Sequence, residues 1–263
     1  MIPAERHKTI LSLLSQQEVI SINELVEQLA VSHMTIRRDI AKLEKQGKVL
    51  SVSGGVQLSS VLHHEPSHDA KATQHADEKA QIGQIASRLV PRNATVYLDA
   101  GTTTLEIAHH LAARDDLLFI TNDFVIAAYL MHNSDSDLYH TGGRIDRENQ
   151  SCVGSKVADF LAGMNVDVSF VSTSSWNLRG ISTPSEPKVI VKKSVAAAGQ
   201  KVILVSDSSK YGKVAAFHAL DIQTFDAIIT DSAFPDSVRQ DLEEKGIQVL
   251  MTPGDDVPQI RSA

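Results

Sequence analysis

The stretch that decides the fold of the N-terminal part is Val31-Ser32-His33-Met34-Thr35-Ile36-Arg37-Arg38-Asp39-Ile40, which continues to Gly47. At about 100° per residue, Ile36, Ile40 and Leu43 fall on one face, so the pattern predicts a helix packed on a core. A serine is placed to cap the start of this helix, and Gly47 is placed to end it in a left-handed conformation.

The opposite face of this helix is small or flat near its start and positively charged along its length. It carries Met34, Arg38, Ala41 and Lys45, with Thr35 and Lys42 on one flank and Arg37 on the other. A recognition helix needs such a face, because residues near its N-terminus reach base edges while Arg and Lys hold phosphates. The charge pattern alone is also typical of a small helical bundle with a solvated basic face.

The segments around this helix favour the DNA-binding interpretation. A first helix is predicted over residues 5–15, and Ser21-Ile22-Asn23-Glu24 is a capping box that starts a second one. Residues 48–58 alternate in polarity around Gly54-Gly55 and predict a small hairpin, the wing. Residues 1–58 are therefore predicted to form a winged helix-turn-helix domain.

Charge and composition agree with a DNA-binding head on a larger body. The chain has 263 residues and a formal net charge of −7, but residues 1–58 hold seven basic and six acidic side chains. The head is thus slightly basic and the rest acidic, which fits local DNA contact by the head. The lone Cys152, the lack of a long apolar run and the polar first residues indicate a cytoplasmic protein with no membrane span.

From residue 78 to residue 251, strand-like and helix-like patterns alternate. The predicted strands are 95–98, 118–120, 138–140, 168–171, 202–205, 227–230 and 248–250, with helices over 78–90, 103–112 and 123–132. Such alternation predicts an α/β domain with a largely parallel sheet and helices on both faces.

Two segments lack a clear period. Residues 59–77 are predicted to be a solvated linker, and residues 252–263 a loose C-terminal tail. The linker contains His63, His64, His68 and His75. Imidazole is a common metal ligand, but no cysteine or ordered helical scaffold accompanies these histidines, so no metal site is predicted.

Polar residues follow four of the predicted strands. The runs are Asp99-Ala100-Gly101-Thr102-Thr103-Thr104, Thr121-Asn122-Asp123, Thr141-Gly142-Gly143-Arg144 and Asp207-Ser208-Ser209-Lys210. Ligands of open α/β sheets bind at the carboxyl ends of the strands, and a helix N-terminus beside hydroxyls suits phosphate. Each run alone is equally typical of a turn or a surface loop, but together they predict one site for a phosphate-bearing ligand.

The predicted recognition helix resembles that of the DeoR family of bacterial transcription regulators, whose usual form is VSxxTIRRDLxxLexxG. The family's wing commonly reads Arg-x-His-Gly-Gly-Ala, whereas this chain has Ser51-Val52-Ser53-Gly54-Gly55-Val56. Serine can still donate a neutral hydrogen bond to phosphate. The expected DNA-binding residues are Ser32, His33, Met34, Thr35, Arg37, Arg38, Lys42, Lys45, Ser51 and Ser53.

The strand-end runs also resemble the effector domain of the same family, so the resemblance covers residues 5 to about 251. It implies a fold similar to ribose-5-phosphate isomerase, a phosphorylated sugar or sugar-acid effector, homo-oligomers and, usually, repression of catabolic operons. After the fourth strand the family's acidic residue is replaced by Ser174. The expected effector-binding residues are Asp99, Gly101, Thr102, Thr103, Thr104, Asn122, Gly142, Gly143, Arg144, Ser174, Asp207 and Lys210.

Two other functions are compatible with parts of this pattern. A sugar-phosphate isomerase with a DNA-binding extension would need a base beside the reacting carbon, but the position most like that base is Ser174. A DNA-binding protein that uses its large domain only to form oligomers would not respond to sugar phosphates. We expect a regulator that is not an enzyme and uses no cofactor.

Overall fold

The structure is a computed structural model that describes residues 1–17, 19–52 and 54–252. Its first part contains α1 (Pro3–Leu14), α2 (Ile22–Leu29), α3 (His33–Lys45), β1 (Val49–Val52) and β2 (Gly55–Leu58). The two strands pair antiparallel, with Val52 opposite Gly55. Three helices followed by a hairpin confirm the predicted winged helix-turn-helix.

One small core holds the helix-turn-helix together. Ile10, Leu25, Ile36 and Leu43 are completely buried in it, one or two from each helix. The predicted capping box forms at the start of α2, where the Ser21 hydroxyl accepts from the amide of residue 24 at 3.1 Å. Local hydrogen bonds therefore fix the helix starts, and apolar burial fixes how the helices cross.

A seven-stranded sheet forms the centre of the larger part. Its strands, in spatial order, are β16 (Gln248–Thr252), β15 (Ala227–Asp231), β12 (Gly199–Val205), β9 (Val166–Ser172), β4 (Thr95–Leu98), β5 (Leu118–Thr121) and β6 (Asp137–His140). Every neighbouring pair is parallel. The predicted parallel sheet is confirmed, and each of the seven predicted strands lies in it.

Helices cover both faces of this sheet, as predicted. One face packs against α5 (Ala76–Arg88), α6 (Thr102–Leu111) and α7 (Phe124–Asn133), and the other against α8 (Ser155–Leu161), α9 (Glu186–Ala198) and α10 (Asp236–Glu243). Because side chains alternate along a strand, Val96 and Leu98 join the first core while Tyr97 joins the second.

Several short strands lie outside the main sheet. They are β7 (Arg144–Asp146), β8 (Ser151–Val153), β10 (Ser175–Asn177), β11 (Gly180–Thr183) and β14 (Phe217–Asp221). β7 pairs with β8, and the other three form an antiparallel sheet in the order β10-β11-β14. The sequence did not predict them, because these short segments mix polar and apolar residues and lack the apolar runs of most strands in the main sheet.

The segment between the two parts differs from the prediction of a solvated linker. It contains β3 (Ser60–Leu62), which pairs in parallel with β13 (Lys213–Ala215), and α4 (His68–Ala72). His68 is buried, and its backbone amide donates to the carbonyl of Glu148 at 2.9 Å. The prediction of an irregular, solvated connection is therefore wrong, because this segment packs on the larger domain; the domain boundaries themselves stay a prediction.

Two further findings concern the described residues alone. Thr252, which we assigned to the loose tail, is buried in β16, and residues 253–263 of that predicted tail lie outside the described residues. In the same described part of the chain, no helix is long and apolar enough to cross a membrane.

Candidate functional site

The predicted recognition helix, α3, begins and ends as its sequence indicates. The Ser32 hydroxyl accepts from the amide of Thr35 at 3.2 Å and lies 2.9 Å from its hydroxyl oxygen. Beyond the last turn, Gly47 adopts a φ of +70°, a conformation that glycine allows without strain. A side chain there would also meet the amide nitrogen of Asn177 at 2.8 Å.

The exposed face of α3 brings most of the predicted DNA-binding residues together. Ile36 and Ile40 face the core, so the opposite side is open to solvent. Met34, near the start of this face, is 68% exposed. The other members of the predicted set that α3 and its cap leave exposed are Ser32, His33, Arg37, Arg38, Lys42 and Lys45, while Thr35 is half-buried.

Asp39, to which the sequence analysis assigned no role, connects α1 to α3. Its carboxylate accepts from the Arg6 guanidinium at 2.7 and 3.2 Å and lies 2.9 Å from Nε2 of His7. Burial acts to raise the pKa of Asp39, but the hydrogen bonds from Arg6 and His7 outweigh it, so the pKa lies below its ordinary value. This buried ion pair sets the position of the recognition helix.

The wing differs from the expectation at Ser51. The Ser51 hydroxyl donates to the buried Glu44 carboxylate at 2.9 Å, and the Ser51 amide donates to the same group at 3.0 Å. In this arrangement the hydroxyl proton is not available to a phosphate, so the reason for predicting a Ser51–DNA contact is lost. Ser53, the other predicted wing residue, lies outside the described residues.

The candidate effector site is a cleft at the point where the strand order reverses. From β4 the chain continues outward through β5 and β6, whereas β9 and β12 lie on the other side of β4. Neighbouring loops that follow β4 and β9 line a cleft with an empty volume of about 740 Å³, including open solvent at its mouth. Ligands of open α/β sheets bind at such a point.

The loop after β4 is held so that α6 starts in the cleft wall. A side-chain carbon at Gly101 would lie 2.8 Å from the Ser172 hydroxyl oxygen, so only glycine allows this approach. Thr102 and Thr103 line the cleft in the first turn of α6, where backbone N–H groups have no intrahelical acceptor. Thr104 does not line it, because it is fully buried and its hydroxyl donates toward the Asp99 and Gly101 carbonyls.

Asp99 is engaged with the protein itself. Its carboxylate accepts from Lys192 on α9, and also from the Ser172 amide at 3.0 Å and hydroxyl at 3.2 Å. Lys192 donates a second hydrogen bond to the Ser172 carbonyl at 2.6 Å. Asp99 therefore positions an ammonium group in the cleft, a role that the sequence could not indicate because Lys192 lies far along the chain.

Asn122 lines the cleft, and its side chain is likewise hydrogen-bonded to other parts of the protein. Its side-chain oxygen accepts from the Tyr97 hydroxyl at 2.8 Å and the Ala100 amide at 3.0 Å, while its nitrogen donates to the Cys152 carbonyl at 2.9 Å. Burial, with the nearby carboxylates of Asp99 and Asp123, raises the pKa of Tyr97 well above its ordinary value. The phenol is thus a neutral donor that fixes Asn122.

The loop after β12 contributes the predicted pair Asp207 and Lys210. Both line the cleft, with the Lys210 ammonium 4.0 Å from the carboxylate of Asp207. Lys79 of α5 lines the cleft beside them and donates to the Lys71 carbonyl. Desolvation lowers the pKa of Lys79.

Two further lysines and a glutamate complete the wall, and the sequence reading missed all three. Glu65 accepts from Lys71 of α4 and from Lys188 of α9, each at 2.6 Å. Burial acts to raise the pKa of Glu65, but the two ammonium groups outweigh it and lower the pKa to about 2. In the sequence, the one feature that could have indicated a lysine wall is the spacing of Lys188 and Lys192, which lie one helical turn apart on α9.

The structure leaves part of the predicted effector set outside the cleft. Gly142, Gly143 and Arg144 do not line it, because they follow β6 at the far edge of the sheet. Gly143, with a φ of +120°, instead turns the chain into β7, and Arg144 is exposed. The predicted residues that do meet in the cleft are Asp99, Gly101, Thr102, Thr103, Asn122, Ser174, Asp207 and Lys210.

The composition of the cleft wall determines what it can bind. Among the residues that the structure describes, five lysines and three carboxylates line it, a formal surplus of two positive charges. Ser172, Thr173 and Ser174 add hydroxyls opposite the first turn of α6. Such a wall is chemically suited to anions, and to phosphate in particular. Fold and site together define a DNA-binding regulator with a sensor domain for a small anion.

Comparison with known families supports this class. Residues 6–61 match the DeoR-like helix-turn-helix domain, and residues 74–232 match the DeoR C terminal sensor domain. The chain belongs to the DeoR family of HTH-type transcriptional regulators. The family predicted from the sequence is therefore confirmed.

Relatives that are similar over nearly the whole chain are also named as transcription regulators or repressors. An uncharacterised HTH-type transcriptional regulator of Haemophilus influenzae is 54% identical over 95% of this chain and 98% of its own. The glycerol-3-phosphate regulon repressor of Escherichia coli K12 is 33% identical over 93% and 97%. A ribose 5-phosphate isomerase from Methanocaldococcus jannaschii is 16% identical over 52% of this chain and 55% of its own, with a TM-score of 0.38, a likeness too slight to carry an argument.

Proposed function

We propose that this regulator represses a carbohydrate or sugar-acid catabolic operon in the cytoplasm and that a phosphorylated sugar-like effector controls its DNA binding. The names of its relatives support repression: one is a glycerol-3-phosphate regulon repressor, and another, at 30% identity, is the transcriptional repressor GlcR of Bacillus subtilis. The sensor domain carries no cofactor in this proposal and is not an enzyme.

The observation that carries the proposal is the surplus of positive charge beside the start of α6. A phosphate monoester brings about −1.5 to −2 charges at neutral pH, close to the formal surplus of two in the cleft wall. Thr102 and Thr103 offer hydroxyls and helix-start amides, and Lys210, held only at 4.0 Å from its carboxylate partner, can turn toward a ligand.

On the DNA side, the exposed face of α3 supplies the contacts. Arg37 and Arg38 hold phosphates or read guanine, and residues near the helix start, Met34 and Thr35 among them, approach base edges. Pairing of subunits through the sensor domains places two such helices on half-sites roughly 34 Å apart, or a multiple of that distance. The effector changes DNA affinity only through its different affinity for the two arrangements.

The competing isomerase function is less well supported. A base beside the reacting carbon is required, but the end of β9 and the loop after it offer only the hydroxyls of Ser172, Thr173 and Ser174. Each carboxylate of the cleft wall lies beside an ammonium group: Asp99 beside Lys192, Glu65 beside Lys188, and Asp207 4.0 Å from Lys210. Turnover of ribose 5-phosphate or a related aldose phosphate by the purified protein would reverse this conclusion.

A thermal-shift screen with full-length protein tests the proposal. Phosphorylated sugars and sugar acids should raise the melting temperature, and their unphosphorylated counterparts should not. Lys210→Ala should abolish the effector response while leaving DNA affinity unchanged. Lys156→Ala is the matched control, because that lysine is 80% exposed on α8 and does not line the cleft. A protein that only forms oligomers through this domain would show no shift with any phosphorylated compound.

A further inference from the structure

The segment between the two domains places one of its own carboxylates inside the cleft. Glu65 lies three residues beyond β3 and accepts hydrogen bonds from Lys71 and Lys188, each at 2.6 Å. The exposed fractions of the three side chains are only 12–13%. Asn149 also accepts from Lys71 at 2.7 Å, whereas the Asp146 carboxylate lies 3.9 Å from Lys188.

This geometry is that of an anion-binding site with its anion in place. Two ammonium groups on different helices, α4 and α9, converge on the two oxygens of one carboxylate. Neither lysine can lose this partner without becoming a poorly compensated buried charge, which is strongly unfavourable. The Glu65 carboxylate therefore leaves only if another anion replaces it.

We propose that Lys71 and Lys188 form a second anion subsite of the effector cleft, that Glu65 of the interdomain segment fills it in the absence of effector, and that a carboxylate on the effector displaces Glu65. The part concerning the effector rests on the proposed function. It makes the effector a compound with two anionic groups, a phosphate at the start of α6 and a carboxylate between the two lysines. A sugar phosphate without a carboxylate leaves Glu65 in place.

Displacement of Glu65 has a direct route to the DNA-binding domain. Glu65 closely follows β3, whose three residues pair with β13 of the sensor domain. Immediately before β3, the amide of Ser59 donates to the carbonyl of Lys48, at the start of the wing. Leu50 of the wing packs against the sensor-domain core. A change at Glu65 thus reaches the wing through fewer than ten residues.

Chemical rescue tests the subsite without knowledge of the effector. In the full-length protein, Glu65→Ala should lower the melting temperature by roughly 5 °C or more, and propionate should restore most of this loss, whereas sodium chloride at equal ionic strength should not. Glu65→Gln should be destabilised but not rescued, because its side chain still fills the site. Asp69→Ala, which removes an 86% exposed carboxylate from α4, should show neither effect.

Amide exchange then distinguishes two roles of Glu65: the charge that it supplies to the two lysines, and the hold that it gives the interdomain segment on the sensor domain. Propionate should restore the stability of Glu65→Ala but leave fast exchange at residues 60–62, because a free carboxylate cannot hold the interdomain segment. No loss of stability in Glu65→Ala, or equal rescue by chloride, would overturn the subsite. Slow exchange at residues 60–62 in Glu65→Ala would show that Glu65 does not hold the interdomain segment in place.

The two-anion effector is tested by comparing matched ligands. Aldonic acid phosphates of four to six carbons should bind Glu65→Ala at least about tenfold more tightly than wild type, because this variant leaves the position between Lys71 and Lys188 empty. Aldose phosphates of the same lengths should bind both proteins within about twofold. Equal changes in the two series would refute the two-anion ligand, whereas no binding of any phosphorylated compound would refute the proposed function and leave the propionate result standing.

Discussion

Replacing Asp39 by alanine should loosen the recognition helix without touching its DNA-facing surface. The carboxylate makes three contacts with Arg6 and His7, at 2.7, 3.2 and 2.9 Å, and its side chain is 6% exposed. Removing one partner of a fully buried ion pair costs about 3–5 kcal/mol. Because the Arg6 and His7 side chains are 11% and 13% exposed, water can partly replace the carboxylate. We therefore expect a loss of about 2–3 kcal/mol.

Native-state amide exchange on the full-length protein measures this loss where it occurs. A change of about 2–3 kcal/mol corresponds to roughly 30- to 140-fold faster exchange of the α3 amides, at about 1.4 kcal/mol per factor of ten. Exchange in the central sheet should not change. Asp39→Asn, which keeps an acceptor but loses the charge, should fall between wild type and Asp39→Ala.

Glu27→Ala is the matched control, because it removes an exposed carboxylate from α2 in the same domain. If Asp39→Ala and Glu27→Ala accelerate exchange of the α3 amides to the same extent, the Arg6–Asp39–His7 contacts do not anchor the helix and the argument fails. The pH dependence is a second check. Since the pKa of Asp39 is lowered on folding, its contribution is complete above its ordinary value and is lost as the pH falls through the folded value.

Three further outcomes are expected. Arg38→Ala should weaken operator binding by about 1–3 kcal/mol if the arginine contacts a base. Titration of labelled operator DNA at fixed salt measures this change. An affinity equal to that of Lys156→Ala would count against a base contact by Arg38. Gly101→Ala should destabilise the sensor domain by about 1–3 kcal/mol, because the new carbon would lie 2.8 Å from the Ser172 hydroxyl oxygen. Denaturant unfolding measures this loss, and adding Ser172→Gly to Gly101→Ala should recover part of it. The stability difference between wild type and Glu65→Gln should be complete above pH 4.5 and disappear as the pH falls to about 2. The reason is that the pKa of Glu65 is lowered from 4.5 to about 2. A difference that persists at pH 2 would show that charge is not its cause.

The two domains differ in how far their sequence predicts them. In the helix-turn-helix, the signals are local: Ser21 and Ser32 cap helices within three residues, and Ile36, Ile40 and Leu43 repeat at helical spacing. The main sheet was predictable for the same reason, since each buried strand is a short apolar run. The β7–β8 hairpin and the β10–β11–β14 sheet were not predicted, because their short strands mix polar and apolar residues and contain no such run.

The cleft shows the same division among its residues. Its strand-end half, which includes Gly101, Thr102 and Asp207, follows from the rule that parallel strands end at one edge of a sheet. The rule does not state which strands are neighbours, so the predicted set also includes Gly142, Gly143 and Arg144, which follow the edge strand β6 and do not line the cleft.

The sequence by itself determined the class of protein, the recognition helix and the polar ends of the strands, because each depends on residues within one or two turns of chain. Only the tertiary structure revealed that Lys192 meets Asp99 across 93 residues and that Glu65 meets Lys188 across 123. Such pairs join charged side chains on separate elements, and each side chain is, on its own, indistinguishable from a solvated surface charge. The strand order and the packing of helices decide which of these charges become buried partners.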